Sequence, residues 1–196
     1  MNHHTPNTLQ QALNALAGFL EADRATPESL VVIGGSALIA LGIVSRTTRD
    51  VDIMAGVDPE RGLVDPRPMS VALQEAADKV ARELQLDPHW LNTGPADQVV
   101  AGLPDGFLSR LNRHDYGPCL TLFFPDRFDL IHLKLFAITD QGSGRHVRDL
   151  EALQPTKEEL SQAARWVLTQ DAGEVFPQMV RNTLTNLGHG DLVTRL

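Results

Sequence analysis

Apolar residues recur with two different periods in the first part of the chain. Helical spacing over residues 7–23 and 69–86 predicts two amphipathic helices, and a shorter helix is expected over 36–43. Short apolar runs predict three strands, at residues 30–33, 51–54 and 119–124. The stretch 56–68 is rich in proline, glycine and charge, which predicts a loop. Residues 87–105 show no clear pattern apart from Val99 and Val100, which suit a short strand.

The chain beyond residue 125 has a mainly helical pattern. Residues 127–139 permit either a helix capped by Asp126 or a strand followed by a helix, and their length and leucine content favour the helix. Thr156 and Glu159 form a capping-box pattern. Three further helices are predicted, at residues 146–153, 157–169 and 175–187. We therefore expect an α/β (α+β) fold with a small mixed sheet, flanking helices and a helical C-terminal part.

Composition excludes several classes of protein. A length of 196 residues suggests one domain, or one domain with a small helical appendage. The net charge of -8 argues against a protein that coats nucleic acid non-specifically. The single cysteine, Cys119, cannot form an internal disulfide, which indicates a cytoplasmic location. No apolar stretch approaches the roughly 18 residues that span a bilayer, so no membrane association is expected.

Two short motifs carry candidate chemistry. Gly34-Gly35-Ser36 lies between a predicted strand and a predicted helix, where backbone N–H groups favour a phosphate, although such glycines also simply permit tight turns. Asp50 and Asp52 have the period-two spacing that puts both side chains on one face of a strand. Two such carboxylates repel each other unless a cation lies between them, and Mg²⁺ prefers carboxylate and phosphate oxygens. The alternative is a pair of solvated charges at a strand edge.

Taken in order, these residues resemble a known family. The segment is similar to the nucleotidyltransferase superfamily with a DNA polymerase β-like palm, most of all to the AbiEii-type branch of type IV toxin–antitoxin systems and its DUF6036 relatives. That branch has G-S, a leucine three residues after the serine, six further residues, and then R-x-T-x-D-x-D. This chain matches the pattern with Ile39 in place of the leucine and with Gly35, Ser36, Arg46, Thr48, Asp50 and Asp52.

The resemblance implies a site. Asp50 and Asp52 would bind Mg²⁺ or Mn²⁺, and Ser36 with Gly35 would contact the triphosphate of an NTP. Arg46 and Thr48 would shape the entrance of this nucleotide-binding site. The resemblance also implies a palm domain over residues 1–145, with a helical subdomain over 146–196 packed on it.

A second part of the family pattern, K-x-x-A followed by R-D-x-x-D-L, falls further along the chain. Lys134 and Ala137 match its first half, and Arg148-Asp149-Leu150 match the start of the second, while Ala152 replaces the later aspartate. The resemblance makes Lys134 and Asp149 catalytic residues, with Lys134 also holding phosphates.

The residues themselves leave several roles open for this lysine and aspartate. Lys134 lies in an apolar run, so its ammonium needs a partner, and a triphosphate or Asp149 would serve; the alternative is a snorkelling surface lysine. Asp149 could orient Lys134, act as a base or cap its helix. Asp129 could be a third metal ligand if residues 128–132 form a strand.

The implied function is metal-dependent transfer of a nucleoside monophosphate from an NTP to an acceptor hydroxyl, with release of pyrophosphate. The AbiEii-type resemblance suggests a toxin-like enzyme that acts on tRNA 3′ ends, with a cognate antitoxin protein as a candidate partner. Two alternatives stay open at this point. The acceptor could be a protein or a small molecule, or the chain could be a palm-like binding module without catalytic activity.

Overall fold

The structure, a computed structural model, describes residues 6–46, 48–142 and 144–196. The α-helices are α1 Pro6–Ala22, α2 Gly34–Ala40, α3 Val71–Leu84, α4 Asp97–Ala101, α5 Arg127–Gln141, α6 Arg145–Ala152, α7 Lys157–Val167 and α8 Phe176–Asn186. The strands are β1 Glu28–Ile33, β2 Val51–Asp58, β3 Gly62–Val64, β4 Leu91–Asn92, β5 Asn112–Asp115 and β6 Leu120–Phe124. The predicted α/β class with a mixed sheet flanked by helices is confirmed.

Two compact units make up the chain, one ending at Pro125 and the other running from Asp126 to Leu196. The first unit contains the sheet and helices α1 to α4. The second is helical, and α5 packs against α6, α7 and α8 within it. The predicted palm domain over 1–145 and subdomain over 146–196 stay a prediction, and the observed units divide earlier because α5 belongs with the later helices.

The sheet of the first unit is mixed, in the order β3-β2-β1-β6-β5, with β4 also paired to β2. β1 is antiparallel to β2 and parallel to β6. Its residues Leu30, Val31 and Val32 are buried, as expected for an apolar run in a strand with neighbours on both sides. Helices α1 and α3 pack against each other and add buried leucines to the core.

The pairing of β1 with β2 determines where the candidate site lies. Ile33, the last residue of β1, is opposite Asp52, and Val32 is opposite Ile53. The next pair is Val31 with Ala55, so β2 carries one extra residue at this point, a β-bulge. Val51 and Ile53 are fully buried while Asp52 between them is half-buried, which is the alternation expected of a strand.

Several predicted boundaries were wrong. The loop predicted over 56–68 contains the end of β2 and all of β3, because a turn at Asp58 returns the chain. The Asp58 carboxylate accepts hydrogen bonds from the backbone N–H groups of Glu60 and Arg61 and so closes this turn. Val99 and Val100 lie in α4 rather than in a strand. The short strands β4 and β5 were not predicted.

The helices of the second unit follow the predictions closely. Residues 127–139 are helical, and the Asp126 carboxylate accepts a hydrogen bond from the Asp129 N–H at 2.9 Å, which confirms the predicted cap. The capping box of Thr156 and Glu159 is present at the start of α7. In the described ranges, no helix is both long and apolar enough to cross a membrane.

One arginine joins three helices of the second unit. Arg127, at the start of α5, donates hydrogen bonds to the backbone carbonyls of Leu153 and Gln154, both at 2.7 Å, just after α6. The same guanidinium binds both carboxylate oxygens of Glu159 at the start of α7. Hydrogen bonds from Arg127 and Thr156 lower the pKa of Glu159 to about 2 from its ordinary 4.5.

We predict that the ion pair between Arg127 and Glu159 makes stability depend on pH. Because folding lowers the pKa of Glu159, the stabilisation is complete above about pH 4.5 and is lost as the pH falls towards 2. Glu159→Gln keeps the capping box but removes the charge, so it should lower the free energy of unfolding by about 0.5–1 kcal/mol at pH 7. Urea unfolding should show that the difference in free energy of unfolding between the wild-type protein and Glu159→Gln becomes smaller as the pH falls from 7 to 3.

The neighbouring Glu158→Gln provides the matched control, since Glu158 is exposed and lies 3.6 Å from Arg165. Its effect should be near zero at every pH. If the free energy of unfolding of Glu159→Gln differs from that of the wild-type protein by the same amount from pH 7 to pH 3, the predicted role of the Arg127–Glu159 pair is contradicted.

Candidate functional site

The turn between β1 and α2 leaves no space for side chains at its glycines. α2 begins at Gly34, directly after the last residue of β1, and Gly34 has a φ of 76°, which favours glycine. The buried Ser36 hydroxyl donates a hydrogen bond to the Ile33 carbonyl at 3.0 Å and so fastens the turn. In this structure the hydroxyl proton is donated to the Ile33 carbonyl. A contact between Ser36 and a triphosphate stays a prediction.

The carboxylate of Asp52 lies directly against this turn. A Cβ atom added to Gly34 would be only 2.4 Å from Asp52 Oδ2. The register of the strands explains this approach, since Asp52 is opposite Ile33 and Gly34 is the next residue along the chain. The two motifs singled out in the sequence therefore meet at one end of the β1–β2 pair.

Arg46 and Thr48 lie against the second glycine. A Cβ atom at Gly35 would be 2.9 Å from a terminal guanidinium nitrogen of Arg46 and 3.0 Å from Thr48 Oγ1. The buried Thr48 hydroxyl also lies 3.4 Å from the Asp50 carbonyl oxygen and 3.5 Å from Asp50 Oδ1, which are long hydrogen bonds. The structure thus brings Arg46 and Thr48 to Gly35, with Asp50 next to Thr48.

A residue that the sequence did not suggest completes this cluster. Asn92 pairs with Asp52 between the parallel strands β4 and β2, and its Nδ2 donates to Asp52 Oδ1 at 3.1 Å. The Gly94 N–H donates to Asn92 Oδ1 at 2.9 Å. An asparagine two residues before a glycine is a known turn signal, so the turn was predictable, but the contact with Asp52 was not.

Lys134 and Asp149 form a buried ion pair in the second unit. Lys134 Nζ lies 2.8 Å from Asp149 Oδ2, and the two side chains are 6% and 1% exposed. The alternative of a snorkelling lysine is therefore wrong, and the ammonium contacts a carboxylate, as its apolar surroundings required. Asp149 does not cap its helix, since α6 begins at Arg145.

The structure removes the basis for Asp129 as a metal ligand. That prediction required a strand over 128–132, and these residues belong to α5. Among the described residues, no three His, Cys, Asp or Glu side chains come together as a metal site. Binding of a metal ion by Asp50 and Asp52 stays a prediction, and Mg²⁺ often takes one or two carboxylates with substrate phosphates and water.

Comparison with known proteins assigns the family. The family model described as a nucleotidyltransferase of unknown function (DUF6036) matches residues 8–154, more than half of the chain. The chain belongs to this family. The match confirms the nucleotidyltransferase resemblance inferred from the sequence, and it includes both motifs at the turn as well as Lys134 and Asp149. No curated protein and no solved structure matched the chain in two further comparisons.

We predict that Gly34→Ala destabilises the protein and displaces Asp52. Alanine is disfavoured at position 34 by the left-handed φ of this residue. Its Cβ atom would also lie too close to Asp52 Oδ2. The expected loss in free energy of unfolding is about 1–3 kcal/mol. Gly18→Ala is the control, because Gly18 lies in α1 and an added methyl group would meet nothing within 4 Å, so alanine there should be neutral or stabilising. Urea unfolding that gives equal stabilities for both variants would refute the close approach.

We also predict that breaking the buried ion pair between Lys134 and Asp149 destabilises the second unit. Lys134→Met removes the ammonium that balances the Asp149 carboxylate, which should lower the free energy of unfolding by about 3–5 kcal/mol. The double variant Lys134→Met/Asp149→Leu should recover most of that loss, because both charges are removed together.

Chemical denaturation of the single and double variants measures this coupling. Lys157→Met is the control, since its ion pair with Asp191 is exposed and should contribute no more than about 1 kcal/mol. A Lys134→Met protein as stable as the control variant would contradict the expected cost of leaving the Asp149 carboxylate buried without its ammonium partner.

Proposed function

We propose that this protein transfers a nucleoside monophosphate from an NTP to an acceptor hydroxyl and releases pyrophosphate. The observation that carries the proposal is the meeting of the two motifs, with the Asp52 carboxylate against Gly34 and the Arg46 guanidinium against Gly35. A glycine turn, a carboxylate pair and a cation are the groups that such a transfer requires.

The turn and Arg46 would receive the triphosphate. Backbone N–H groups at a glycine turn can approach phosphate oxygens closely, because no side chain intervenes. Arg46 adds a permanent positive charge beside Gly35, and its planar guanidinium suits phosphate oxygens. These groups would hold the phosphates and stabilise the charge that moves to the leaving pyrophosphate.

Asp50 and Asp52 would hold Mg²⁺ or Mn²⁺. A pair of carboxylates beside a glycine turn is consistent with this ion, which shares its coordination sphere with substrate phosphates. When bound, the ion would supply positive charge that polarises the α-phosphate. Asn92 holds Asp52, and Thr48 lies beside Asp50, so the chain itself orients both carboxylates before any ligand arrives.

The bonds that change are few. The acceptor hydroxyl oxygen forms a bond to the α-phosphorus, while the bond from that phosphorus to the oxygen bridging to the β-phosphate breaks. Pyrophosphate leaves with the electron pair, and the hydroxyl proton passes to a base or to solvent. Roles for Lys134 and Asp149 in phosphate binding or proton transfer stay predictions that rest on the family resemblance.

For the acceptor, we propose a tRNA 3′ end and a toxin-like role with a cognate antitoxin. Support comes from the similarity of residues 35–52 and 134–150 to the AbiEii-type pattern. The net charge of -8 favours a second candidate, a protein or small-molecule acceptor, because an acidic protein attracts RNA less strongly. The two candidates share the NTP site and differ only in the acceptor.

We predict Mg²⁺-dependent label transfer from one α-³²P-labelled NTP. The protein is incubated with Mg²⁺, one labelled NTP and one class of acceptor. The acceptors, tested in separate reactions, are total tRNA, cell proteins and hydroxyl-bearing antibiotics. Asp52→Asn and Asp50→Asn should each lower the rate at least about a hundredfold, because each removes charge that stabilises the transferring phosphate. The control is Asp58→Asn, which changes an aspartate at the far end of the same strand and should leave the rate within about twofold.

The acceptor that becomes labelled separates the two candidates. Label on tRNA supports the toxin-like role, and label on a protein or a drug supports the second candidate. Absence of transfer to every acceptor, together with no Mg²⁺-dependent NTP binding by calorimetry, would contradict the proposal and favour a non-catalytic binding module.

A further inference from the structure

Asn92 has only one amide orientation that satisfies both of its neighbours. Its Oδ1 accepts the Gly94 N–H at 2.9 Å, and its Nδ2 donates to Asp52 Oδ1 at 3.1 Å. The reversed orientation would place the amide oxygen against the carboxylate and the amide NH₂ against another N–H donor. The Gly94 turn therefore fixes the asparagine, and the asparagine fixes the Asp52 carboxylate.

The backbone reinforces this arrangement. Asp52 and Asn92 are direct partners in the parallel pairing of β2 and β4, so their side chains leave neighbouring strands side by side. The turn is tight, because a Cβ atom at Gly94 would lie 3.0 Å from Asn92 Oδ1. The position of Asn92 is thus set by strand register and by the turn as well as by its hydrogen bond to Asp52.

We infer that Asn92 is a positioning residue that holds Asp52 and limits the site to two carboxylates, so that the metal ion binds together with the NTP. This inference rests on the proposed function. An aspartate at position 92 would add a third carboxylate next to Asp52, which would strengthen cation binding in the free protein. The neutral amide avoids that charge, and the NTP phosphates must then supply the remaining anionic ligands.

Binding of Mn²⁺, followed by electron paramagnetic resonance, tests this inference without requiring turnover. The probes are Mn²⁺ alone and Mn²⁺ with the α,β-methylene analogue of ATP, GTP, CTP or UTP. We expect at least one analogue to lower the dissociation constant of Mn²⁺ from the wild-type protein about tenfold or more. Asp52→Asn should abolish this binding and serves as the reference for loss of the site.

Two variants of Asn92 then have opposite expected effects. Asn92→Ala removes one hydrogen bond from the Asp52 carboxylate and should raise the Mn²⁺ dissociation constant about tenfold in the presence of the analogue, as expected for loss of a hydrogen bond to a charged group. The isosteric Asn92→Asp should lower the Mn²⁺ dissociation constant about tenfold without the analogue, since ligand charge sets cation affinity. Circular dichroism checks that both variants fold.

Asn112→Ala is the matched control, because Asn112 also lies on a strand and donates through Nδ2, in its case to the Phe124 carbonyl. It should bind Mn²⁺ like the wild-type protein. If Asp52→Asn abolishes Mn²⁺ binding while Asn92→Ala binds normally, or if Asn92→Asp binds no more tightly, the role of Asn92 is refuted and the proposed function stands. A wild-type protein that binds no Mn²⁺ with any analogue overturns both.

Discussion

The candidate site depends on one backbone constraint, the antiparallel return of β2 alongside β1. An antiparallel neighbour begins where the preceding strand ends, so the first residues of β2 must lie beside the last residue of β1. The register pairs Ile33 with Asp52, and the glycine turn follows Ile33 directly. Two motifs that are separated along the chain by the rest of α2 and the residues that follow it are thereby adjacent in space.

The same constraint explains the composition of the turn. With Asp52 Oδ2 against Gly34 and the Arg46 guanidinium against Gly35, a side chain at either position would displace a charged group. Asn92 and Thr48 contact the two aspartates from other parts of the backbone. Opposite charges therefore lie beside the same turn, the Asp52 carboxylate at Gly34 and the Arg46 guanidinium at Gly35.

Local sequence patterns predicted most of the helices and strands, but they did not predict which strands pair with each other. The helix at Arg127 and the capping box of Thr156 follow from short-range spacing, and the apolar surroundings of Lys134 correctly required a partner for its charge. Strand β4 has only two residues and β5 consists of polar residues, so neither shows the hydrophobic alternation by which a strand is predicted. The contact of Asn92 with Asp52 exists only through β4, which is why the sequence did not suggest it.

Paramagnetic broadening of backbone amide signals tests most directly whether the two motifs form one metal and nucleotide site. Mn²⁺ added with a non-hydrolysable NTP analogue should broaden the amides of Gly34, Gly35 and Ser36 together with those of Val51 and Asp52, because all lie around the same end of the β1–β2 pair. Broadening at only one of these segments, or only elsewhere in the chain, would contradict a shared site.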